Sequence, residues 1–365
     1  MTGSRVLIAP DSFKGSLAAV DVAAAIRKGW LAARPHDVVD TLPLADGGEG
    51  TIPALKASDP HSKLFTVQGV TGPDGKPVEA QWLRLASGVA VVEIAQTSGL
   101  PLMTTLDALG ATSRGLGEVL RVVFEASPTE VWVGLGGSAC TDGGVGALRG
   151  LGARALDDDG VEIGEGGAEL ARLSTIDLGA LIRPGVPVVL LSDVTSPLLG
   201  PYGAAAVFAP QKGADLQQVR LLDAALSRLS TIMDGDPAVP GSGAAGGTAF
   251  GLCAALGASI RAGADVIAEA SGLDERVASA DVVITGEGSF DRQSTTGKLV
   301  GNVLMRSTSA GATSMVIAGI VKRDPGTWNV SLAQLAGSVD AAMRDPARWC
   351  TAAGSLAARE FSSNE

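Results

Sequence analysis

The feature that most constrains this chain is a corner that recurs: an apolar run ends on small residues with an acid or a lysine, and helical sequence tends to follow. It occurs at PDSFKGS (Pro10–Ser16), PLADGGEGT (Pro43–Thr51), GLGGSACTDGG (Gly134–Gly144), SDVTSPLLGPYGAA (Ser192–Ala205) and TGEGSFDRQSTTGK (Thr285–Lys298). Short apolar runs bounded by such turns read as buried strands. Strands alternating with helices imply a parallel sheet. Ligands of an open α/β sheet sit beyond the carboxyl ends of its strands, so these corners are also the candidate site.

The first unit follows directly. Arg5–Pro10 reads as a strand, and a helix is expected from Ser16 to Ala33, with Ser16 as N-cap and Leu17, Val20, Ala24 and Leu31 along one face. A second strand starts at Val38 and a short helix covers Thr51–Ala57. From Leu64 the texture changes: LFTVQGV, VEAQWLRL and GVAVVEIAQ read as antiparallel strands joined by turns. A helix over Thr112–Ala126 carries Arg114 and Glu118 as an i,i+4 pair and leads to the strand EVWVGLG. VPVVLLSDV (Val186–Val194) is another buried strand. Asp215–Met233 is amphipathic, with Leu216, Val219, Leu222, Leu226 and Leu229 on one side. Strand and helix alternation returns in DVVITG, the segment after Lys298, TSMVIAGI and the sequence from Ser331. At 365 residues the chain exceeds one ordinary core. The expectation is an α/β protein: a doubly wound parallel-sheet domain built from 1–63 and 275–365, interrupted by a second α/β domain over 64–274, with a cleft between them.

Composition narrows the chemistry. The longest weakly polar stretch, Ala244–Ala258, falls short of the roughly 20 apolar residues of a membrane span. No secretory signal is read at the N-terminus, so cytoplasmic residence is expected. Three scattered cysteines, Cys140, Cys253 and Cys350, offer no zinc spacing and suit a reducing compartment. The two histidines, His36 and His61, flank prolines in polar loops, which disfavours a serine-type triad. A net charge of −11 without a basic stripe argues against nucleic acid. A homo-oligomer is compatible with the sequence.

Glycines let backbone approach a ligand and turn N–H groups toward an anion, and helix N-termini add partial positive charge. Carboxylates in the same places would repel phosphate unless a cation bridges them, so the mixture points to a magnesium-bearing polyphosphate. It is not a P-loop: Arg292 stands where that motif needs glycine, and Leu299 follows Lys298 where it needs Ser or Thr. GLGGSA (Gly134–Ala139) fits a dinucleotide fingerprint with Asp157–Asp159 about 20 residues on, but Asp142 would crowd a pyrophosphate there. An NAD-dependent oxidoreductase acting on a small hydroxy acid and a non-catalytic small-anion-binding protein are the alternative readings.

Taken together and in order, PDSFKGS, PLADGGEGT, GLGGSACTDGG, SDVTSPLLG, VFAPQKGA (Val207–Ala214), GSGAAGG (Gly241–Gly247) and ADVVITGEGSFDRQSTTGK make the chain resemble the bacterial ATP-dependent glycerate kinases over nearly its whole length. The resemblance implies a flavodoxin-like domain interrupted by another α/β domain. It also implies phosphoryl transfer from ATP to a hydroxyl of D-glycerate, with the 2-position favoured and Mg2+ as cofactor. The chain departs from the family pattern at Cys140 and Thr141, where Thr-Asn is common before the aspartate, and at Ala209, where glycine is common. Roles follow by residue type. Lys14 and Lys298 contact phosphates. Ser12, Gly136, Gly137 and Ser138 join Glu287 and Lys298 in holding the nucleotide, and Asp193 and Glu287 hold magnesium. Asp46 or Asp291 accepts the substrate proton. Asp11, Lys212, Arg292 and backbone N–H groups meet glycerate.

Overall fold

The computed structural model describes residues 3–295 and 299–363. Lys298, expected at the phosphates, lies outside the described residues. The chain forms two compact units. One comprises Met1–Asp46, Pro53–Pro60 and Ala264–Glu365; the other comprises Gly47–Ile52 and His61–Gly263.

The first unit is built on a five-stranded, wholly parallel sheet ordered Trp328–Ser331, Thr313–Ala318, Val282–Thr285, Arg5–Ile8, Val38–Thr41. Counted along the chain within this unit, the order from the Val38 edge is 2-1-3-4-5, the flavodoxin-like arrangement. Its direction of winding reverses between Arg5–Ile8 and Val282–Thr285, and the loops leaving those two strands are therefore the predicted ligand position. Both strands are rich in Val and Ile and almost wholly buried, as strands covered on both faces must be. The helices Ala19–Ala33 and Pro346–Ser363 supply Ile26, Trp30 and Phe361 to the core around Ile8, Val282 and Ile317. They pack backbone to backbone: a Cβ on Gly29 would lie 1.9 Å from Thr351 O, and one on Gly354 2.3 Å from Ile26 O.

The N-cap expectation at Ser16 is not met. The helix starts at Ala19 with Ala18 before it and no side-chain cap, while Ser16 Oγ donates to Phe13 O at 2.9 Å. The cause is a tighter turn than the sequence suggested: Phe13 and Leu17 exchange backbone hydrogen bonds at 2.8 and 3.0 Å, closing over Gly15 at φ 77°. The buried face also differs from the expected one. Val22, Ala23, Ile26 and Trp30 face the core, and Val20 is exposed.

The second unit carries a mixed six-stranded sheet ordered Ser259–Arg261, Val188–Leu191, Val131–Gly134, Ala90–Glu93, Pro77–Arg84, Lys63–Thr71. The first four strands are parallel, and Pro77–Arg84 runs antiparallel to both of its neighbours, Ala90–Glu93 and Lys63–Thr71. GVAVVEIAQ is therefore not one antiparallel strand. Its strand stops at Glu93 and belongs also to the parallel half, and Ala95–Ser98 turns into a helix. The helix Arg114–Glu125 buries Leu116, Val119, Leu120 and Val123, with Arg114 and Glu118 paired at 3.1 Å. The helix Leu216–Ile232 starts on a capping box between Asp215 and Gln218, but only part of its expected face is inside: Leu222, Leu226 and Leu229 are buried and Leu216 is exposed. Among the described residues no helix is long and apolar enough to cross a membrane.

Candidate active site

In the first unit, the winding reversal brings acids and a lysine together. Asp11 N–H donates to Gly286 O at 2.8 Å, so the loop leaving Arg5–Ile8 is tied to the loop leaving Val282–Thr285. On its other side Gly286 lies against the neighbouring strand, where a Cβ would come within 1.8 Å of Ile317 O. The next layer repeats the device: Gly319 N–H donates to Glu287 O at 3.0 Å, where a Cβ on Gly319 would meet Gly288 O at 2.4 Å. Phe13 is sunk in the core, which lifts Lys14 onto the tip of the turn with a side chain 76% exposed. Its Nζ lies 3.3 Å from Asp46 Oδ2, and Asp46, then Asp11 and Glu287, hold the ammonium above its ordinary pKa. Ser12 donates its N–H to Asp11 Oδ1 at 2.6 Å.

Asp11 is the strained member of this group. Burial chiefly, and then the charge of Asp46, push its carboxyl up to about 7, with Glu287 adding to the rise and Ser12 N–H and Lys14 opposing it. A folded-state pKa above the unfolded value means that the native protein binds the extra proton. This group's contribution to stability is therefore full below about pH 4 and is lost as pH rises through about 7. In EDTA, Asp11→Asn is expected to flatten the dependence of Tm on pH between 5 and 8 relative to wild type. Parallel Tm curves for the two proteins would remove Asp11 as the titrating group.

The other predicted residues of this unit divide. Asp291 Oδ1 accepts the Gln293 N–H at 2.8 Å, while Asp291 N–H donates to Ser294 Oγ at 2.9 Å, so this carboxylate caps its own loop. Arg292 beside it is exposed.

In the second unit, two glycine corners close on each other. A Cβ on Gly136 would lie 2.5 Å from Gly48 Cα, and one on Gly134 2.7 Å from Gly47 O. GLGGSA and the Gly47–Ile52 segment thus meet where neither has side chains. Gly137 sits at φ 81°, its carbonyl accepting Leu100 N–H at 2.9 Å, and Ala139 N–H donates to Ser98 O at 2.7 Å. Ser138 is buried, and Lys212 Nζ donates to its Oγ at 3.2 Å and to Cys140 O at 2.5 Å. Two predicted residues from separate motifs are thereby joined. Lys212 is itself fully buried, which lowers its pKa, so it braces Ser138 from within. Asp193 stands two residues beyond the Val188–Leu191 strand and is half-buried.

Asp142 has an internal role. It is buried and accepts Ser113 N–H and Ser113 Oγ–H at 2.8 Å each, Gly144 N–H at 3.1 Å and Gly146 N–H at 3.3 Å. It joins the start of Arg114–Glu125 to the start of Val145–Gly150. The dinucleotide reading loses its frame here, since the helix opens at Val145 and not within GLGGSA. Asp157 belongs to a polar turn, accepting Val161 N–H at 2.9 Å and pairing with Arg172 at 2.7 Å.

A family model described as the glycerate kinase family matches residues 6–362. The chain belongs to the glycerate kinase family. It is 40% identical over 335 residues to the glycerate kinase of Bacillus subtilis (strain 168), covering 88% of this chain and 86% of that one. It is also 40% identical over 306 residues to the glycerate 2-kinase of Escherichia coli (strain K12), covering 81% and 80%. A crystal structure provisionally described as glycerate kinase 2 from Salmonella typhimurium LT2 superposes with a TM-score of 0.82 at 33% identity, over 99% of both chains. Family membership makes this an ATP-dependent phosphotransferase with an alcohol as acceptor. Within the family pattern, the departure at Thr141 falls on a buried side chain, whose Oγ1 has no hydrogen-bond partner among the described residues. The departure at Cys140 is buried too, its thiol pushed up to about 12 by burial.

One residue of this kinase was not foreseen. Glu93, at the carboxyl end of Ala90–Glu93, is buried and accepts Ile52 N–H at 2.6 Å. The sequence does carry a signal for it: AVVE followed by helical sequence is a further acid at a strand exit, masked because the apolar run continues through Ile94.

Proposed function

We propose that the protein transfers the γ-phosphoryl group of ATP to the 2-hydroxyl of D-glycerate, giving 2-phosphoglycerate. What supports the reaction site is the group of Asp11, Lys14, Asp46 and Glu287 at the point where the first unit's sheet reverses. What supports the 2-position is the Escherichia coli relative named glycerate 2-kinase. Phosphoryl transfer through a loose transition state asks the protein to position reactants and neutralise the moving oxygens. Lys14 supplies mobile positive charge at the tip of its turn. Asp46 accepts the hydroxyl proton as that oxygen bonds to phosphorus and ADP departs. Asp46 is preferred to Asp291 because Asp291 is occupied in capping its loop. Asp11, held largely protonated below pH 7, donates a hydrogen bond to glycerate.

The donors fit magnesium in kind: they are carboxylate oxygens whose mutual repulsion is visible in the raised Asp11, and a divalent cation would relieve it. Among the described residues no three such groups are near enough to hold an ion alone. Magnesium often takes one or two carboxylates and completes its shell with phosphate and water. Glu287 would hold it in the first unit, and Asp193 is the second unit's candidate. Bound there, the ion would neutralise phosphate charge. Ser12, Gly136, Gly137, Ser138 and Lys298 serve the nucleotide, with Lys212 acting through Ser138. Arg292 and backbone N–H groups of the Gly47–Ile52 turn serve the glycerate carboxylate. Unpaired thiols at Cys140, Cys253 and Cys350 suit the cytoplasm.

The test is a coupled assay with phosphorus NMR of the product. ADP is expected only when glycerate and Mg2+ are both present, and the new resonance is expected to be that of 2-phosphoglycerate. A 3-phosphoglycerate resonance would overturn the regiochemistry, and NAD-dependent oxidation of glycerate without ADP would overturn the reaction.

A further inference from the structure

We infer that Glu93 is a positioning residue for substrate: its buried carboxylate fixes the backbone of the Gly47–Ile52 turn, and through that turn sets the affinity for glycerate. The inference rests on the proposed function for what the turn binds, and on geometry for how Glu93 holds it.

The turn is glycine-rich and would be mobile alone. Gly47 and Gly50 sit at φ 85° and 96°, conformations other residues rarely adopt. On one side it is seated by close approach, Gly48 Cα against Gly136 and Gly47 O against Gly134. Contact of that kind excludes bulk but does not fix orientation. Hydrogen bonds do, and the helix that begins at Thr51 leaves its first N–H groups needing acceptors. Thr51 N–H reaches Gly48 O at 3.3 Å, and Pro53 has no N–H. Ile52 N–H goes to Glu93 Oε1 at 2.6 Å, and Gly50 N–H also bonds this carboxylate. Glu93 itself is held: Gln96 Nε2 donates to its Oε2 at 3.3 Å, while Gln96 Oε1 accepts Gln81 N–H at 2.7 Å. A side chain from a sheet strand thus anchors the turn, so the turn inherits the strand's rigidity.

The functional consequence comes from covalent reach. Asp46 directly precedes Gly47, and consecutive Cα atoms are about 3.8 Å apart. A substrate whose hydroxyl meets Asp46 is therefore held by a residue that continues directly into the turn's backbone. Displacing that backbone should weaken glycerate before it weakens ATP.

The experiment measures KM for glycerate and for ATP separately, kcat, and amide hydrogen exchange of peptides covering residues 47–58. For Glu93→Ala, the glycerate KM is expected to rise about 10-fold or more, since small misplacements of binding groups carry large penalties, with ATP KM little changed and exchange in the turn faster. Glu93→Gln keeps an acceptor for Ile52 N–H and is expected to recover most of the glycerate KM. Should Glu93→Ala fail to fold, Gln96→Ala, which loosens Glu93 without removing it, is expected to show the same pattern at smaller size. Equal shifts in both KM values, unchanged exchange in the turn, or no recovery with Gln would overturn the inference. If wild-type protein releases no ADP with glycerate, the proposed function fails, and the exchange data still judge the hold of Glu93 on the turn. If wild type is active and the variants keep its glycerate KM, it is the role of Glu93 that fails.

Discussion

Lys14→Ala is expected to lower kcat by about 10²-fold or more, the scale of losing one group that stabilises transition-state charge, with Tm nearly unchanged. Both halves follow from the turn. Phe13 is buried and carries the packing, whereas the Lys14 side chain is 76% exposed and its pairing with Asp46 at 3.3 Å is largely solvated. Exposed ion pairs contribute little to stability, about 0–1 kcal/mol. Steady-state kinetics and a thermal melt on the same preparation check it. Lys14→Arg is expected to recover only part of the rate, because the guanidinium is bulkier and its charge sits differently. A Lys14→Ala enzyme with wild-type kcat would remove Lys14 from the site.

The largest stability effect is expected at Asp142, which touches no proposed substrate group. Asp142→Ala leaves Ser113 N–H, Gly144 N–H and Gly146 N–H without their acceptor, in a place the structure buries. Each unsatisfied buried donor costs about 1–3 kcal/mol, so a loss of about 3 kcal/mol or more is expected. A Cβ on Gly146 would lie 2.6 Å from Asp142 Oδ2 and 2.8 Å from Arg114 N, which shows how closely the two helix starts are drawn together there. Calorimetry should show the melting transition shifted down, and amide exchange should accelerate first in residues 113–125 and 142–150. A variant that melts like wild type, with protected amides in both segments, would show that Asp142 is not the joint. Asp142→Asn is expected to be milder, since one oxygen remains to accept.

The strands were largely legible because their signal is local. Arg5–Ile8, Val131–Gly134, Val188–Leu191 and Val282–Thr285 are short apolar runs closed by turn residues, and each lies where periodicity and punctuation put it. The start of the helix after PDSFKGS is not legible because Ser16 has the chemistry of a cap while a turn closing on Phe13 claims it; its inward face is not legible because Leu17 and Val20 suggest one stripe and Val22, Ile26 and Trp30 form the buried one. Glu93 is hidden in the sequence because the apolar run GVAVVEIAQ continues past the point where the strand ends.

Residue order by itself determined the class of the chain, an α/β protein with acids and lysines at glycine-rich strand exits, and the family to which it belongs. Those properties depend on neighbours within a few positions or on motifs matched in sequence. Tertiary structure decided which corners meet and what each charge does there. It set Asp11 against Asp46 and Glu287, put Lys212 beneath Ser138 and not at the surface, made Asp142 an internal joint, and laid Gly48 on Gly136. Such outcomes require contacts between residues far apart in the chain, and whether a carboxylate serves as a cap, a brace or a titrating acid depends on the burial and the donors that those contacts create.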